Sequence, residues 1–74
     1  MAAIKETNFP ESSAISAARY FSRTHRLEVT FKGGSAYLYY DIQPRIFEEF
    51  RMADSKGRYF HEHILHRYRY DRLK

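Results

Sequence analysis

The stretch from Leu27 to Ser55 limits most strongly what this chain can fold into. It begins with strict alternation of apolar and polar residues, the period-two pattern of a half-buried β-strand, whose apolar positions are Leu27, Val29 and Phe31. Gly33-Gly34 follows, and two glycines between apolar runs predict a two-residue hairpin because both residues tolerate positive φ. Ser35 to Ile42 is then the return strand of that hairpin.

The hydrophobic period changes after the return strand. Pro44 is favoured at the first helical position, where its missing N–H costs nothing. The apolar residues that follow have the spacing of one helix face, and they are Ile46, Phe47, Phe50 and Ala53. Asp54 or Ser55 can cap a second helix. In that helix an apolar stripe is formed by residues four apart, namely Phe60, Ile64 and Tyr68.

Ser13 to Phe21 is predicted to form one more strand. Ile15 and Ala17 can share one face, with Tyr20 on the other parity, so the alternation fails midway and a bulge is expected. The alanines in this segment leave a short helix open as an alternative. Residues 1–11 are predicted to be a loose N-terminal leader, 12–68 a single domain, and 69–74 a basic C-terminal tail.

These elements predict an α+β fold, with a three-stranded antiparallel β-meander followed by two C-terminal helices packed on one face. The core is expected to contain Ile15, Leu27, Val29, Phe31, Ile46, Phe50, Phe60 and Ile64. A chain of 74 residues allows one domain, and without cysteine no disulfide can stabilise it. An aromatic content of 18% fits a small core of large side chains. With no signal peptide and no long apolar run, a cytoplasmic protein without membrane contact is expected.

The net charge of +4 is concentrated near the C-terminus. Residues 56–74 hold six basic and two acidic side chains. Such a basic surface predicts a polyanion or an acidic protein surface as partner, while the alternative is a solvated helix face.

The candidate partner-binding residues are tyrosines and arginines. Tyr37 and Tyr39 share one strand face and can stack bases, although the alternative is that both rings are core. Tyr40 has the opposite parity and is expected to be the exposed ring. Arginines interleaved with tyrosines suit stacking and bidentate contacts with phosphate. The remaining candidates of this kind are Arg58, Arg67, Tyr68, Arg69, Tyr70 and Arg72.

Neither the histidines nor the serines predict a catalytic or metal site. On a helix His61 and His63 point roughly 200° apart and cannot share an ion. Ser12-Ser13 and Ser55 have no base beside them in sequence, and Ser55 is better explained as a helix cap. We therefore expect no enzyme activity, no metal and no cofactor.

Several short motifs resemble the KTSC domain family. They are Ser12-Ser13-x-Ile15, Tyr20, Leu27-x-Val29-x-Phe31-x-x-Gly34, Tyr37-x-Tyr39, Ile42-x-Pro44 and Ala53-x-Ser55-x-Gly57-x-x-Phe60-x-x-x-Ile64. The resemblance covers residues 12–68, and its most specific elements are the two tyrosines and the Ser-x-Gly. The chain departs from the family pattern at His61, where asparagine is frequent, and mildly at Ile42.

The resemblance implies two functions, because the family includes a C-terminal extension of some lysyl-tRNA synthetases and free-standing bacterial and phage proteins. A phage member implies a small transcription regulator that binds bacterial RNA polymerase, acting by steric or allosteric interference. The alternative is a single-stranded RNA- or tRNA-binding domain that uses exposed tyrosines and the basic C-terminal helix. Both are non-catalytic, and a monomer is expected. Tyrosines exposed beside arginines would favour RNA, and an apolar groove without such pairs would favour a protein partner.

Overall fold

A computed structural model describes residues 4–74, which form a five-stranded antiparallel sheet and two helices. The strands are β1 (Ile4–Asn8), β2 (Ile15–Phe21), β3 (Arg26–Phe31), β4 (Ala36–Tyr39) and β5 (Tyr70–Arg72). The helices, α1 (Pro44–Met52) and α2 (Lys56–His63), lie in the chain between β4 and β5. The order of strands in the sheet is the order in the chain. No helix within residues 4–74 is long and apolar enough to cross a membrane.

The prediction of a three-stranded meander is wrong, because two further strands flank β2, β3 and β4. β1 lies in the range 1–11, predicted as a leader, whose first three residues are outside the described part of the chain. β5 lies in the range 69–74, predicted as a tail. Both are edge strands with mainly exposed side chains, so neither carries the alternating apolar face that reveals a strand in a sequence. The α+β class agrees with the structure.

The segment from Ser13 to Phe21 forms β2 and not a short helix. Its pairing with β3 shifts register between Ile15 and Ala17, which confirms the predicted bulge. At the bulge the hydroxyl of Ser16 donates to the carbonyl oxygen of Thr30 at 3.1 Å. The irregularity explains why apolar residues change parity along this strand.

The hairpin between β3 and β4 differs from the predicted two-residue turn. The N–H of Phe31 donates to the carbonyl oxygen of Ser35 at 2.8 Å, which leaves Lys32, Gly33 and Gly34 in the loop. The N–H of Gly34 closes the turn on the carbonyl oxygen of Phe31 at 2.9 Å. Gly34 has φ +100°, a conformation that favours glycine, whereas Gly33 does not need positive φ.

Both helices begin as the sequence predicts and differ at their ends. Pro44 opens α1, and Ser55 caps α2 by accepting the backbone N–H of Arg58 at 3.2 Å. α2 ends at His63, and His66 then adopts φ +65°, which turns the chain back toward the sheet. Tyr68 therefore follows the helix and does not extend its apolar stripe.

The core lies between the helices and one face of the sheet. Six of the eight predicted core residues are buried, while Phe31 and Ile46 are half-buried against them. Six further residues complete the cluster: Phe9, Ala18, Tyr20, Tyr39, Ile42 and Phe47. Each large apolar side chain buried in this way contributes roughly 1.5–3 kcal/mol. Six of the twelve residues in this buried cluster are aromatic.

The opposite face of the sheet carries no helix. Glu6 pairs with Arg19, Arg19 with Glu28, and Glu28 with Leu38, so these side chains share one face across four strands. All four are exposed or half-buried, whereas most of the residues that alternate with them along β2, β3 and β4 are buried. We call this surface the open face.

Candidate functional site

The strand β4 divides its tyrosines between the two faces of the sheet. Tyr39 is 2% exposed, and its ring contacts that of Phe60 edge-on at 5.4 Å, on the side of the helices. Tyr37 shares that side and is half-buried. Because strand side chains alternate, Tyr40 lies on the open face. Tyr37 and Tyr39, the predicted stacking pair, thus share one face, but that face is the core side of the sheet, which agrees with the alternative that their rings belong to the core.

Tyr40 lies between two arginines on the open face. Leu27 pairs with Tyr39, so Arg26 lies beside Tyr40 on the next rung of the β3–β4 ladder. On the other side, the N–H of Tyr40 donates to the carbonyl oxygen of Arg69 at 3.0 Å. The guanidinium carbons of Arg26 and Arg69 are 5.1 Å and 4.3 Å from the centre of the Tyr40 ring. These are cation–π distances, and the ring holds both guanidinium groups near the strand.

Neither of these two guanidinium groups forms an ion pair with a carboxylate among residues 4–74. The nearby Asp71 instead accepts the hydroxyl of Tyr40. This hydrogen bond to Asp71 raises the pKa of Tyr40, although the two arginines act in the opposite direction. Arg26 and Arg69 are thus exposed, positioned by a ring and free to contact an anion.

The row continues across the sheet with apolar side chains. Phe21 pairs with Arg26, and Ile4 pairs with Phe21 on β1. The guanidinium carbon of Arg19 lies 5.5 Å from the centre of the Phe21 ring, while Arg19 itself pairs with Glu6 at 3.2 Å and Glu28 at 3.4 Å. We define the open-face row as Phe21, Arg26, Tyr40 and Arg69.

On the helix side, the same edge of the sheet carries an aromatic groove. This groove has a volume of about 400 Å³ and is lined by Phe31, Ser35, Tyr37, Tyr39, Phe60, Leu65 and Tyr70. Tyr70 is 49% exposed, and its ring centre lies 5.7 Å from that of Tyr37 and 5.5 Å from that of Tyr39. The guanidinium carbon of Arg72 stands 5.8 Å from the Tyr37 ring centre. The aromatic groove thus has an apolar lining and a positively charged guanidinium at its edge.

Three predicted site residues lie in neither surface. The Nε of Arg58 pairs with Glu62 at 3.5 Å along α2, and the Nε of Arg67 donates to the carbonyl oxygen of Glu62 at 2.9 Å. Tyr68 is half-buried and packs against the core. The predicted basic patch is therefore divided, with Arg69 in the open-face row and Arg72 at the aromatic groove.

The serine and glycine motifs meet at a polar pocket of about 520 Å³ between residues 7–14 and 51–57. The hydroxyl oxygen of Ser12 accepts the backbone N–H groups of Ala14 at 3.3 Å and Ile15 at 3.1 Å. A Cβ on Gly57 would lie 3.2 Å from the Cβ of Ala14, so a glycine allows α2 to approach the β1–β2 loop. These motif residues thus shape the junction of loop and helix.

The histidines do not gather around a common point. Within residues 4–74 no three side chains among histidine, aspartate and glutamate are placed to hold one metal ion. His63 stacks on the ring of Tyr59 with centres 4.3 Å apart. Burial and a hydrogen bond to Glu49 raise the pKa of Tyr59, whose hydroxyl lies 2.8 Å from that carboxylate.

Arg26 and Phe21 are the residues of the open-face row that sequence reasoning missed. Only the pairing of β3 with β4 reveals the position of Arg26, because Leu27 opposite Tyr39 places Arg26 beside Tyr40. The partner of each β3 residue on β4 can be counted from the glycine turn, but the count is correct only if the number of residues in the loop is known. The predicted two-residue turn gives a register that differs by one residue, and one residue moves a side chain to the other face.

Comparison with known proteins identifies the family. The KTSC domain model matches residues 11–68. The crystal structure of a KTSC domain protein from Yersinia pestis superimposes with a TM-score of 0.87 and 27% identity, covering 97% of this chain and 100% of that one.

Relatives include both long and short proteins. A lysine–tRNA ligase from Trichormus variabilis is 41% identical over 64 residues, which are 86% of this chain and 11% of the ligase. The chain thus spans about 11% of the length of that ligase. A protein from Tsukamurella paurometabola is 41% identical over 59 residues, covering 80% of this chain and 88% of that protein. The chain therefore belongs to the KTSC domain family.

Proposed function

We propose that this KTSC domain is a non-catalytic RNA-binding module that holds a single-stranded segment on its open-face row. The observation that carries the proposal is the pair of guanidinium groups on either side of Tyr40, neither of which has a carboxylate partner among residues 4–74. Tyr40, predicted to be exposed, is half-buried. Of the two functions expected from the sequence, this arrangement of a tyrosine beside two arginines is nearer to RNA binding.

The chemistry of the row suits phosphates and bases together. A guanidinium presents a planar set of donors that matches a phosphate and stacks on flat rings. The backbones of Arg26 and Arg69 lie on either side of Tyr40, two strand spacings or roughly 10 Å apart, and both guanidinium groups turn in toward the Tyr40 ring. Phe21, half-buried beside Arg26, offers a ring on which a base can stack, and such stacking contributes about 1–3 kcal/mol per base.

Two further observations support an RNA partner. The net charge is +4, which attracts a polyanion. One long relative carries the name lysine–tRNA ligase, a name that includes an RNA substrate.

Titration of a fluorescently labelled oligouridylate of about 12 nucleotides tests this function by fluorescence anisotropy. We expect saturable binding at low salt, with an affinity that falls as salt rises. Two arginine–phosphate contacts predict a log–log slope of about −1.4, since each contact to a single strand contributes about −0.7. A flat titration at low ionic strength would contradict the proposal.

Binding to RNA polymerase, the other function expected from the sequence, stays a prediction. The observation that favours a protein partner is the aromatic groove, which is apolar and has few polar groups. Affinity purification from a bacterial lysate tests it, with and without nuclease treatment. Polymerase subunits retained after nuclease treatment would support a direct protein contact, and their loss would indicate that nucleic acid linked the two.

A further inference from the structure

We propose that the aromatic groove and the outer edge of β5 together bind an extended acidic peptide, which adds to the sheet as a sixth strand. The aromatic groove lies on the face of β4 and β5 opposite the open-face row, and Arg69 alone belongs to both proposals. The inference does not depend on RNA binding, and each function can fail without the other.

The first observation is the orientation of the backbone in β5. The carbonyl oxygen of Arg69 accepts from Tyr40, and the N–H of Leu73 donates to the carbonyl oxygen of Ala36 at 2.7 Å. Every second residue of an antiparallel strand faces its neighbour, so the residues between these contacts alternate inward and outward. Tyr70 and Arg72 therefore direct their backbone N–H and C=O groups away from β4, at the edge of the sheet.

The second observation is the groove that lies directly beside this edge. Tyr70 belongs to β5 and also lines the groove with Tyr37, Phe60 and Leu65. In an added strand, alternate side chains point to the helix side of the sheet, where the groove can accept an apolar residue. Peptides that add to a sheet edge gain affinity from main-chain hydrogen bonds and specificity from such pockets.

The charge of residues 67–74 indicates which kind of peptide would bind beside β5. Residues 67–74 carry four basic side chains and one acidic one. Asp71, the acidic residue, accepts a hydrogen bond from Tyr40, and none of the four basic residues forms an ion pair with a carboxylate side chain among residues 4–74. A second copy of this chain pairing through β5 would bring these like charges together. In a peptide that alternates acidic with apolar residues and places its apolar side chains in the groove, the acidic side chains point to the open face, where Arg69 lies.

Within residues 4–74, the opposite edge of the sheet lacks this combination. The pocket at the end of β1 is lined by polar and charged residues that include Glu11, Ser13 and Asp54. It therefore has neither the apolar lining nor the uniform charge that an acidic–apolar strand requires. The observations assign the added strand to β5.

The experiment uses a synthetic peptide of about ten residues that alternates glutamate with valine or leucine. Binding to the ¹⁵N-labelled chain is followed by NMR, and amide hydrogen exchange is measured with and without peptide. We expect saturable shifts at the groove residues and slower exchange of the Tyr70 and Arg72 amides, because an added strand hydrogen-bonds at these positions. A peptide N-methylated at alternate backbone nitrogens removes two such bonds and should bind roughly tenfold more weakly.

A matched pair of variants tests the same backbone group from the side of the protein. Arg72→Ala removes the side chain but keeps the outward N–H, whereas Arg72→Pro removes both. Because an outward N–H takes no part in the β4–β5 ladder, both variants should fold, which circular dichroism checks. We expect Arg72→Pro to bind the peptide about threefold to tenfold more weakly than Arg72→Ala.

Several results would overturn the inference. These are no binding at about 1 mM peptide, binding without slower exchange at Tyr70 and Arg72, and equal affinity for the N-methylated peptide. Slower exchange of the same two amides on self-association, or with oligouridylate but not with the peptide, would assign the edge to a second copy or to RNA. Arg26→Glu separates the two proposed sites, since it should weaken RNA binding and leave peptide binding unchanged.

Discussion

The ring of Tyr20 lies parallel to that of Phe47, with centres 4.8 Å apart and planes 9° apart. The hydroxyl of Tyr20 also donates to the carbonyl oxygen of Ile42 at 2.6 Å, in the buried core. One side chain of β2 thus contacts both α1 and the connection that leads from β4 into α1. These two contacts join the sheet to the helix layer on the core side.

Removing that hydroxyl should destabilise the domain. Tyr20→Phe keeps the stacked ring and leaves the buried carbonyl oxygen of Ile42 without its donor, which costs about 1–3 kcal/mol. Denaturant unfolding followed by circular dichroism measures the free energy of unfolding. An unchanged free energy would show that the hydrogen bond does not stabilise the junction.

The glycine turn offers a matched pair of substitutions. Gly34→Ala places a side chain at φ +100° and should cost about 1–3 kcal/mol of strain. Gly33→Ala is the control, because this residue does not have positive φ and a Cβ there meets nothing within 4 Å. Unfolding midpoints of the two variants should differ clearly. Equal midpoints would contradict the assigned loop conformation.

Stability should decrease at alkaline pH because of buried tyrosines. Burial, with smaller contributions from Tyr70 and Tyr37, raises the pKa of Tyr39 to about 12. Below pH 10, the ordinary tyrosine pKa, Tyr39 is protonated in both the folded and the unfolded chain, so its full contribution to the free energy of unfolding is present. Between pH 10 and 12 the unfolded chain loses the proton while the folded chain keeps it, so the free energy of unfolding falls, by at most about 1.4 kcal/mol per pH unit from this residue.

Urea unfolding at pH 8.5, 10 and 11 measures this decrease. Tyr39→Phe is the control, since it removes the titrating group and should give a shallower dependence on pH. If the wild-type chain and this variant lose stability in parallel above pH 10, Tyr39 is not the cause.

The two strands of the central hairpin and the helix starts are predictable because local chemistry determines them, whereas the three-residue loop and the register that it sets are not. The strict alternation of Leu27, Val29 and Phe31 identifies β3, and Pro44 and Ser55 mark the two helix starts. The edge strands were not predictable in this way. β1 has the sequence IKETN, whose residues are mainly exposed, and a strand without a buried face has no periodic signal.

The end of α2 cannot be predicted from the sequence, for a different reason. His66 takes φ +65° where a glycine would normally mark the turn, and histidine gives no such signal in the sequence. The apolar spacing of Phe60, Ile64 and Tyr68 therefore predicts a continued helix, and β5 falls in the range predicted as a tail. Tyr40 was correctly placed on the face opposite Tyr39, but its neighbours Arg26 and Arg69 depend on the strand register.

Charge reversal in the open-face row tests the proposed function most directly. Arg26→Glu and Arg69→Glu each remove one guanidinium beside Tyr40, and Arg45→Glu on α1 makes the same change in net charge away from the row. The affinity of each folded variant for labelled oligouridylate is measured at one salt concentration. We expect each row variant to lose about tenfold or more, the value of one charge-assisted contact, and the Arg45 variant to lose much less. Equal losses in all three variants, or no loss in any, would contradict RNA binding at this site.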